Sequence, residues 1–206
     1  ALTVASTQTG HGVGGFPFLK LPANKIAIDL AITSNNELAL VLIYDTERKI
    51  AQMAVIMLEG KYIPFHTFHE IGLPNQCSCS DMKLLGYVDL PYDNPTRISA
   101  SCNGRWGGPS STGGLTLGQM KMTDPNVLKN LYTDAWSGVV ARRGYAVVTF
   151  KEQNAIVVID LTPIFKYIRD SWLSSVDSYN TTLLARTNGE WPKTFNTLPE
   201  IIPTII

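Results

Sequence analysis

The densest gathering of side chains able to do chemistry is the run His66-Thr67-Phe68-His69-Glu70, followed closely by Cys77-Ser78-Cys79. Imidazole and thiolate are the ligands that zinc and copper take, three or four of them converging on one point. The spacing does not match that chemistry. His-x-x-His and Cys-x-Cys replace the Cys-x-x-Cys usual in a structural zinc site. His66, His69, Cys77 and Cys79 are therefore candidate metal ligands, set against the favoured alternative of a surface insertion whose histidines pack on Phe65 and Phe68. No cofactor is expected.

Two further patterns fail on context. Gly10-His11-Gly12-Val13-Gly14-Gly15 spells G-x-G-x-x-G, but a dinucleotide site needs a helix N-terminus directly after it, and Pro17 and Pro22 forbid one. Serine, histidine and acidic residues are all present, yet there is no Gly-x-Ser-x-Gly, and only His11, His66 and His69 could act as a base. A catalytic triad is not expected. Arg97, Arg105 and Trp106, beside the glycines of 107–114, suit ligand or partner contact better, since a guanidinium and an indole together offer charge, stacking and hydrogen bonding. The competing reading makes Trp106 a core plug beside a wide turn.

Seventeen Lys and Arg balance seventeen Asp and Glu, so no long-range field gathers phosphate backbones, and nucleic acid is not an expected partner. With 45% hydrophobic residues, 17% charged and 16 glycines, the composition suits a folded, strand-rich chain with many turns. No apolar run reaches the roughly 20 residues of a membrane-spanning helix. The start at Ala1 fits removal of a signal peptide, so the expected location is secreted or periplasmic, with cytoplasmic as the other option. Cys77 and Cys79 lie too close to pair easily with each other, leaving either one bridge to Cys102 or free thiols. Asn180-Thr181-Thr182 is a glycosylation sequon, meaningful only on a eukaryotic secretory route.

The elements that must position these residues are mostly strands. Residues 1–24 read as an extended N-terminal arm and 25–206 as one domain. Ile26–Ile32, Leu38–Tyr44 and Met53–Leu58 are apolar runs separated by the polar turns at Asn35-Asn36 and Thr46-Glu47, which predicts a three-strand meander with both faces covered. Two more such units are expected: Leu84–Pro91 with Pro95–Ser101, and Ser137–Ala141 with Tyr145–Phe150 and Ala155–Leu161. Their turns recur at about 68 and then about 40 residues, the second spacing matching one propeller blade. About 60–80 reads as an insertion and about 103–114 as a glycine-rich loop. Short helices are predicted near Asp124–Tyr132 and from Thr162, as cap, with Pro163 first in the helix. The tail after Ser174 is polar, and Leu198–Ile206 is strand-like.

At Gly144-Tyr145-Ala146-Val147-Val148-Thr149, with Asn154 and Val157-Val158-Ile159-Asp160-Leu161, the chain resembles the YVTN or YncE-like family of β-propellers. Asp29–Leu58 and Gly86–Ser101 match more loosely, so about half of the chain carries the resemblance. The Asp-Gly turn usual between the first two blade strands is replaced by Asn35-Asn36, Asn103-Gly104 and Arg143-Gly144, and no unit contains a literal Tyr-Val-Thr-Asn. The resemblance implies a mainly β, ring-shaped scaffold used for binding, and transfers no catalytic residue. The functional expectation is a non-catalytic scaffold or binding module within a larger assembly. Its ring would be incomplete with three blades and closed by further blades or a protein partner near Ile201–Ile206. The competing class is an enzyme or electron-transfer subunit whose active groups lie outside this chain or in a bound cofactor.

Overall fold

The computed structural model describes residues 2–3, 18–35, 37–58, 82–104, 120–136, 138–187 and 201–206. The first strands, β1 (Leu2–Thr3) and β2 (Phe18–Leu19), pair antiparallel as a short ladder. Next come β3 (Lys25–Ile32), β4 (Leu38–Asp45), β5 (Ile50–Leu58) and β6 (Met82–Asp89), which form one up-and-down sheet in chain order. A second up-and-down sheet is built from β7 (Arg97–Cys102), β8 (Gly144–Phe150), β9 (Ala155–Asp160) and β10 (Thr204–Ile205). Among the described residues there are three helices, α1 (Pro125–Thr133), α2 (Thr162–Leu173) and α3 (Val176–Thr187).

β4 and β5 are apolar on both faces because both faces are covered. Leu38, Leu40, Leu42, Met53, Val55 and Met57 point into the main core, which also takes Ile98, Ala146, Val148, Phe150, Val157 and Ile159 from the second sheet and Ile164, Phe165, Ile168 and Trp172 from α2. On the opposite face, Ala39, Val41, Ile43, Ala54 and Ile56 form a smaller cluster against Leu19, Leu21, Leu58, Met82 and Leu84. Each fully buried Leu, Ile, Val, Met or Phe contributes roughly 1.5–3 kcal/mol by leaving water. The second sheet instead alternates: β8 buries Ala146, Val148 and Phe150 and leaves Tyr145 exposed.

The sheets meet along their first strands. Asp29 accepts a hydrogen bond from the Ile98 amide at 3.0 Å, and Ser34 donates to the Cys102 carbonyl at 3.2 Å. Both contacts advance in the same chain direction, so β3 and β7 run side by side in parallel. Asp29 follows a register shift in β3, between Ala27 and Asp29. Such a bulge re-aims a side chain.

Several sequence expectations need correction. The three-unit reading gives way to two four-stranded sheets. Leu84–Leu90 closes the first sheet, with Gln52 opposite Asp89 and Leu58 opposite Met82, whereas Arg97–Cys102 opens the second. A run of apolar residues records burial but does not say which strand it pairs with. Val139–Ala141 is buried but is not a strand; its role is to place the Ala141 amide on the Glu37 carboxylate at 3.2 Å. At α2 the N-cap position is Leu161, with Thr162 inside the helix and Pro163 in its first turn; the Asp160 carboxylate, one residue before the cap, accepts from the Thr162 amide at 2.9 Å. The polar tail after Ser174 holds α3, which had no counterpart in the sequence reading. Of the strand-like stretch Leu198–Ile206, residues 198–200 lie outside the described residues, and within 201–206 Thr204–Ile205 forms a strand. Cys102 is a free thiol. The helix expected near Asp124–Tyr132 is α1, and Asp124 caps it, accepting from the Asn126 amide at 2.9 Å with Pro125 opening the helix.

Candidate functional site: the end of the sheets that carries the long connections

Because β3 and β7 are parallel and both sheets are meanders, the odd-numbered strands from β3 to β9 all run toward the same end. The connections leaving that end are 33–37, 59–81, 103–143 and 161–203. At the other end the chain turns back through 46–49, 90–96 and 151–154. Long connections carry function more often than tight turns. One end of the paired sheets is therefore the candidate contact surface.

Its floor is a buried polar knot. The Thr33 hydroxyl donates to Asn35 Oδ1 at 3.0 Å and accepts from the Leu38 amide at 3.0 Å. The Glu37 amide also donates to Asn35 Oδ1, at 3.2 Å. Asn35 and Glu37 are fully buried. From the second sheet Asn103 Oδ1 accepts from the amides of Arg142 and Arg143 at 2.8 and 3.0 Å, fixing where the chain returns from α1. Arg169 of α2 donates to the Ala141 carbonyl at 3.1 Å. Around this floor Arg142 bonds to the Tyr132 carbonyl and lies 3.3 Å from Asp134, while Tyr132 donates to Asp170 at 3.0 Å. The Lys166 ammonium also reaches Asp170, and this partner raises its pKa. The surface can offer a partner mixed charge, an exposed tyrosine and backbone groups. Among the described residues, no three or more His, Cys, Asp and Glu gather to hold a metal ion.

His66, His69, Cys77 and Cys79 lie in 59–81, and Arg105 and Trp106 in 105–119; all six fall outside the described residues. What is fixed is the departure of both segments from the same end, one between Leu58 and Met82, the other after Gly104. Arg97 does not share that end. It is exposed at the start of β7, opposite Thr149, roughly 17 Å of extended strand away from Cys102.

The tight-turn end holds a second polar group that sequence reasoning missed. Lys25 Nζ lies 2.5 Å from Asp45 Oδ2 and 2.5 Å from Gln52 Oε1, and 4.5 Å from the centre of the Tyr87 ring. Gln52 passes the chain on to Asp89 at 2.5 Å, and Arg48 grips both Asp89 oxygens at 3.0 and 2.7 Å. The Lys25 bond, with the amides of Arg48 and Glu47, holds the Asp45 carboxyl down to about 2 despite its burial. Asp89 is lowered as well, chiefly by Arg48. Burial raises the Tyr87 phenol. These groups come from the ends of β3, β4, β5 and β6 and from the 46–49 turn, so only strand pairing brings them together. Lys25, Asp45, Gln52 and Asp89 answer one another, which makes this group a clamp on the sheet end.

No family model, no curated protein and no solved structure matches this chain.

Proposed function

We propose that this chain is a non-catalytic scaffold or binding module of the β-propeller type, its two sheets serving as consecutive blades and the long-connection end as its contact surface. One relationship supports this reading: the two sheets share the register of their turns and of the strand pairs beside them, and opposite faces of the two enter one core. The turns 46–49 and 151–154 each end in a residue of positive φ, Lys49 at 56° and Asn154 at 49°. Setting those turns in register aligns Asp45 with Phe150 and Ile50 with Ala155, which oppose each other within their own sheets. The same alignment superposes the Thr33 amide to Leu38 carbonyl bond on the Asn103 to Arg143 bond, and Leu90 to Ala51 on Ile206 to Ile156.

With positions matched in this way, Leu40, Leu42 and Met53 of the first sheet correspond to Tyr145, Val147 and Val158 of the second. Val41, Ile43 and Ala54 correspond to Ala146, Val148 and Ile159. The core contains the former set from the first sheet and the latter set from the second. The front of one sheet thus packs on the back of the next, with the first strands parallel and adjacent. Repeated units that stack front to back are what a propeller ring is made of.

The test is differential retention. Wild-type chain immobilised and exposed to extract from its natural source should retain a protein partner that is lost when Arg143→Glu and Tyr132→Ala alter the long-connection end. The same partner should stay on when Glu152→Arg alters the tight-turn end. Equal retention by both variants overturns the contact surface. A visible absorption band in the purified protein would overturn the non-catalytic reading in favour of a bound redox or catalytic cofactor.

A further inference from the structure

We propose that the segment Leu19-Lys20-Leu21 is an internal strap, which fills the place where another sheet would stack on the far face of the first sheet and so closes that face to association. The inference rests on the blade reading above and deepens it by stating which side of the paired sheets is shut.

The face beneath the strap is of the stacking kind. Val41, Ile43 and Ala54 match Ala146, Val148 and Ile159, the residues through which the second sheet enters the common core with Leu40, Leu42 and Met53. In the first sheet the matching residues are buried as well, Val41 to 2% exposure and Ile43 and Ala54 to 0%. Among the described residues, the side chains that pack on them from outside the sheet are Leu19 and Leu21. These two stand where the leucines of a stacked sheet would stand. They are two residues apart, as Leu40 and Leu42 are, and Lys20 between them is exposed, which is the alternation of an extended segment with one side on an apolar surface. β2, which carries Leu19, lies against β6.

The strap is fixed at its root and lightly held along its length. At the root the Lys25 amide donates to the Pro22 carbonyl at 3.0 Å, and the Thr46 amide to the Asn24 carbonyl at 2.9 Å. Beyond it, the ladder consists of Leu2 opposite Leu19 and Thr3 opposite Phe18. Both leucines are half-buried, and the cluster they cover is separate from the main core. A segment with few buried contacts opens at lower free energy than the core does. Its release uncovers Ala39, Val41, Ile43, Ala54 and Ile56 while the two sheets stay packed on each other. A contiguous apolar patch of that kind is an association surface.

The test compares full-length chains at micromolar concentration by sedimentation, by the emission of a neutral apolar dye such as Nile red, and by near-ultraviolet circular dichroism. The last reports the main core, where Trp172 packs against Tyr179. Leu19→Asp with Leu21→Asp should keep the near-ultraviolet signal, raise dye emission several-fold and sediment as larger species than wild type. Leu19→Met with Leu21→Met keeps the strap apolar and should behave as wild type. An aspartate variant with the dye emission and sedimentation of wild type would overturn the proposal. If that variant loses its near-ultraviolet signal, Leu19→Ala with Leu21→Ala decides: raised dye emission with the signal retained supports the strap, whereas loss of the signal again places the leucines in the common core and overturns it. The blade reading fails on a different observation, equal partner retention by the variants of the two sheet ends, so the two failures are distinguishable.

Discussion

Asp29 Oδ2 accepts a hydrogen bond from the backbone amide of Ile98 at 3.0 Å, and that bond ties the edge of one sheet to the edge of the other. Among the described residues β7 ends its sheet, and its outward amides have no ladder partner there. Ile98 is only 8% exposed, which denies its amide water. The bulge in β3 turns a carboxylate to the place where a further strand would have supplied a carbonyl. Asp29→Ala should lower stability by about 1–3 kcal/mol, the cost of leaving a buried donor unmade. Asp29→Asn keeps an oxygen acceptor and should fall between the two. Urea unfolding reads this as a lower midpoint at unchanged slope; an alanine variant as stable as wild type would show the bond to be incidental.

The Lys25–Asp45 pair predicts how the fold responds to acid. Asp45 titrates near 2 in the folded chain, below its ordinary 3.8. A depressed carboxylate stabilises the fold fully above the unfolded value and loses that contribution as pH falls toward the folded one. Stability should therefore decline from about pH 3.8 down toward pH 2. Asp89, lowered mainly by Arg48, adds to the same limb. Asp45→Asn should flatten the decline. Lys25→Met should lower stability at neutral pH and start the decline at higher pH, because Asp45, only 1% exposed, loses its counter-ion. Thermal melting from pH 2 to 7 measures both effects.

Gly104 is where the knot of the long-connection end admits no side chain. A Cβ there would stand 2.3 Å from Asn35 Nδ2 and 2.9 Å from the Ala141 amide nitrogen. Gly104→Ala should cost about 1–3 kcal/mol, as overpacking of a filled site does. Adding Asn35→Ala removes the first clash but not the second, which is backbone. The double variant should therefore lose less than the sum of the two single losses, yet stay less stable than Asn35→Ala alone. Melting temperatures of the single and double variants decide it.

The sequence carried local order well and partnership poorly. The β3–β4–β5 meander was legible because polar turns divide apolar runs too short for helices, and α1 fell within a residue of the helix expected near Asp124–Tyr132. β8 and β9 were legible for the same reason as the first meander. Sheet membership was not: β6 and β7 adjoin in sequence through 90–96 yet belong to different sheets, a fact set by Gln52 meeting Asp89 and by Thr149 meeting Arg97. Helix α3 escaped because Asn180, Thr181 and Thr182 are modest helix formers on a weakly amphipathic segment; there the packing of Tyr179 against Trp172, ring centres 5.7 Å apart, wins over propensity. Of the candidate site, the insertion and the glycine-rich loop were visible as breaks in pattern. Their departure from one end became visible only once β3 and β7 were seen to run parallel.

The same geometry makes the insertion removable. Leu58 and Met82, which bound 59–81, are paired directly across the β5–β6 ladder, and Met57 faces Lys83 next to them. A hairpin can join strands whose ends already face each other through a turn of about two to five residues. The cost of closing a loop grows only as (3/2)RT ln n, so a shorter connection loses no stability on that account. Replacing residues 60–80 with a short Asn-Gly turn should leave cooperative unfolding intact and keep the melting temperature within a few degrees. Retention of a partner in extract should weaken if the segment contributes to the contact surface. Broad, non-cooperative melting of the shortened chain would place 60–80 in the core and refute the excursion.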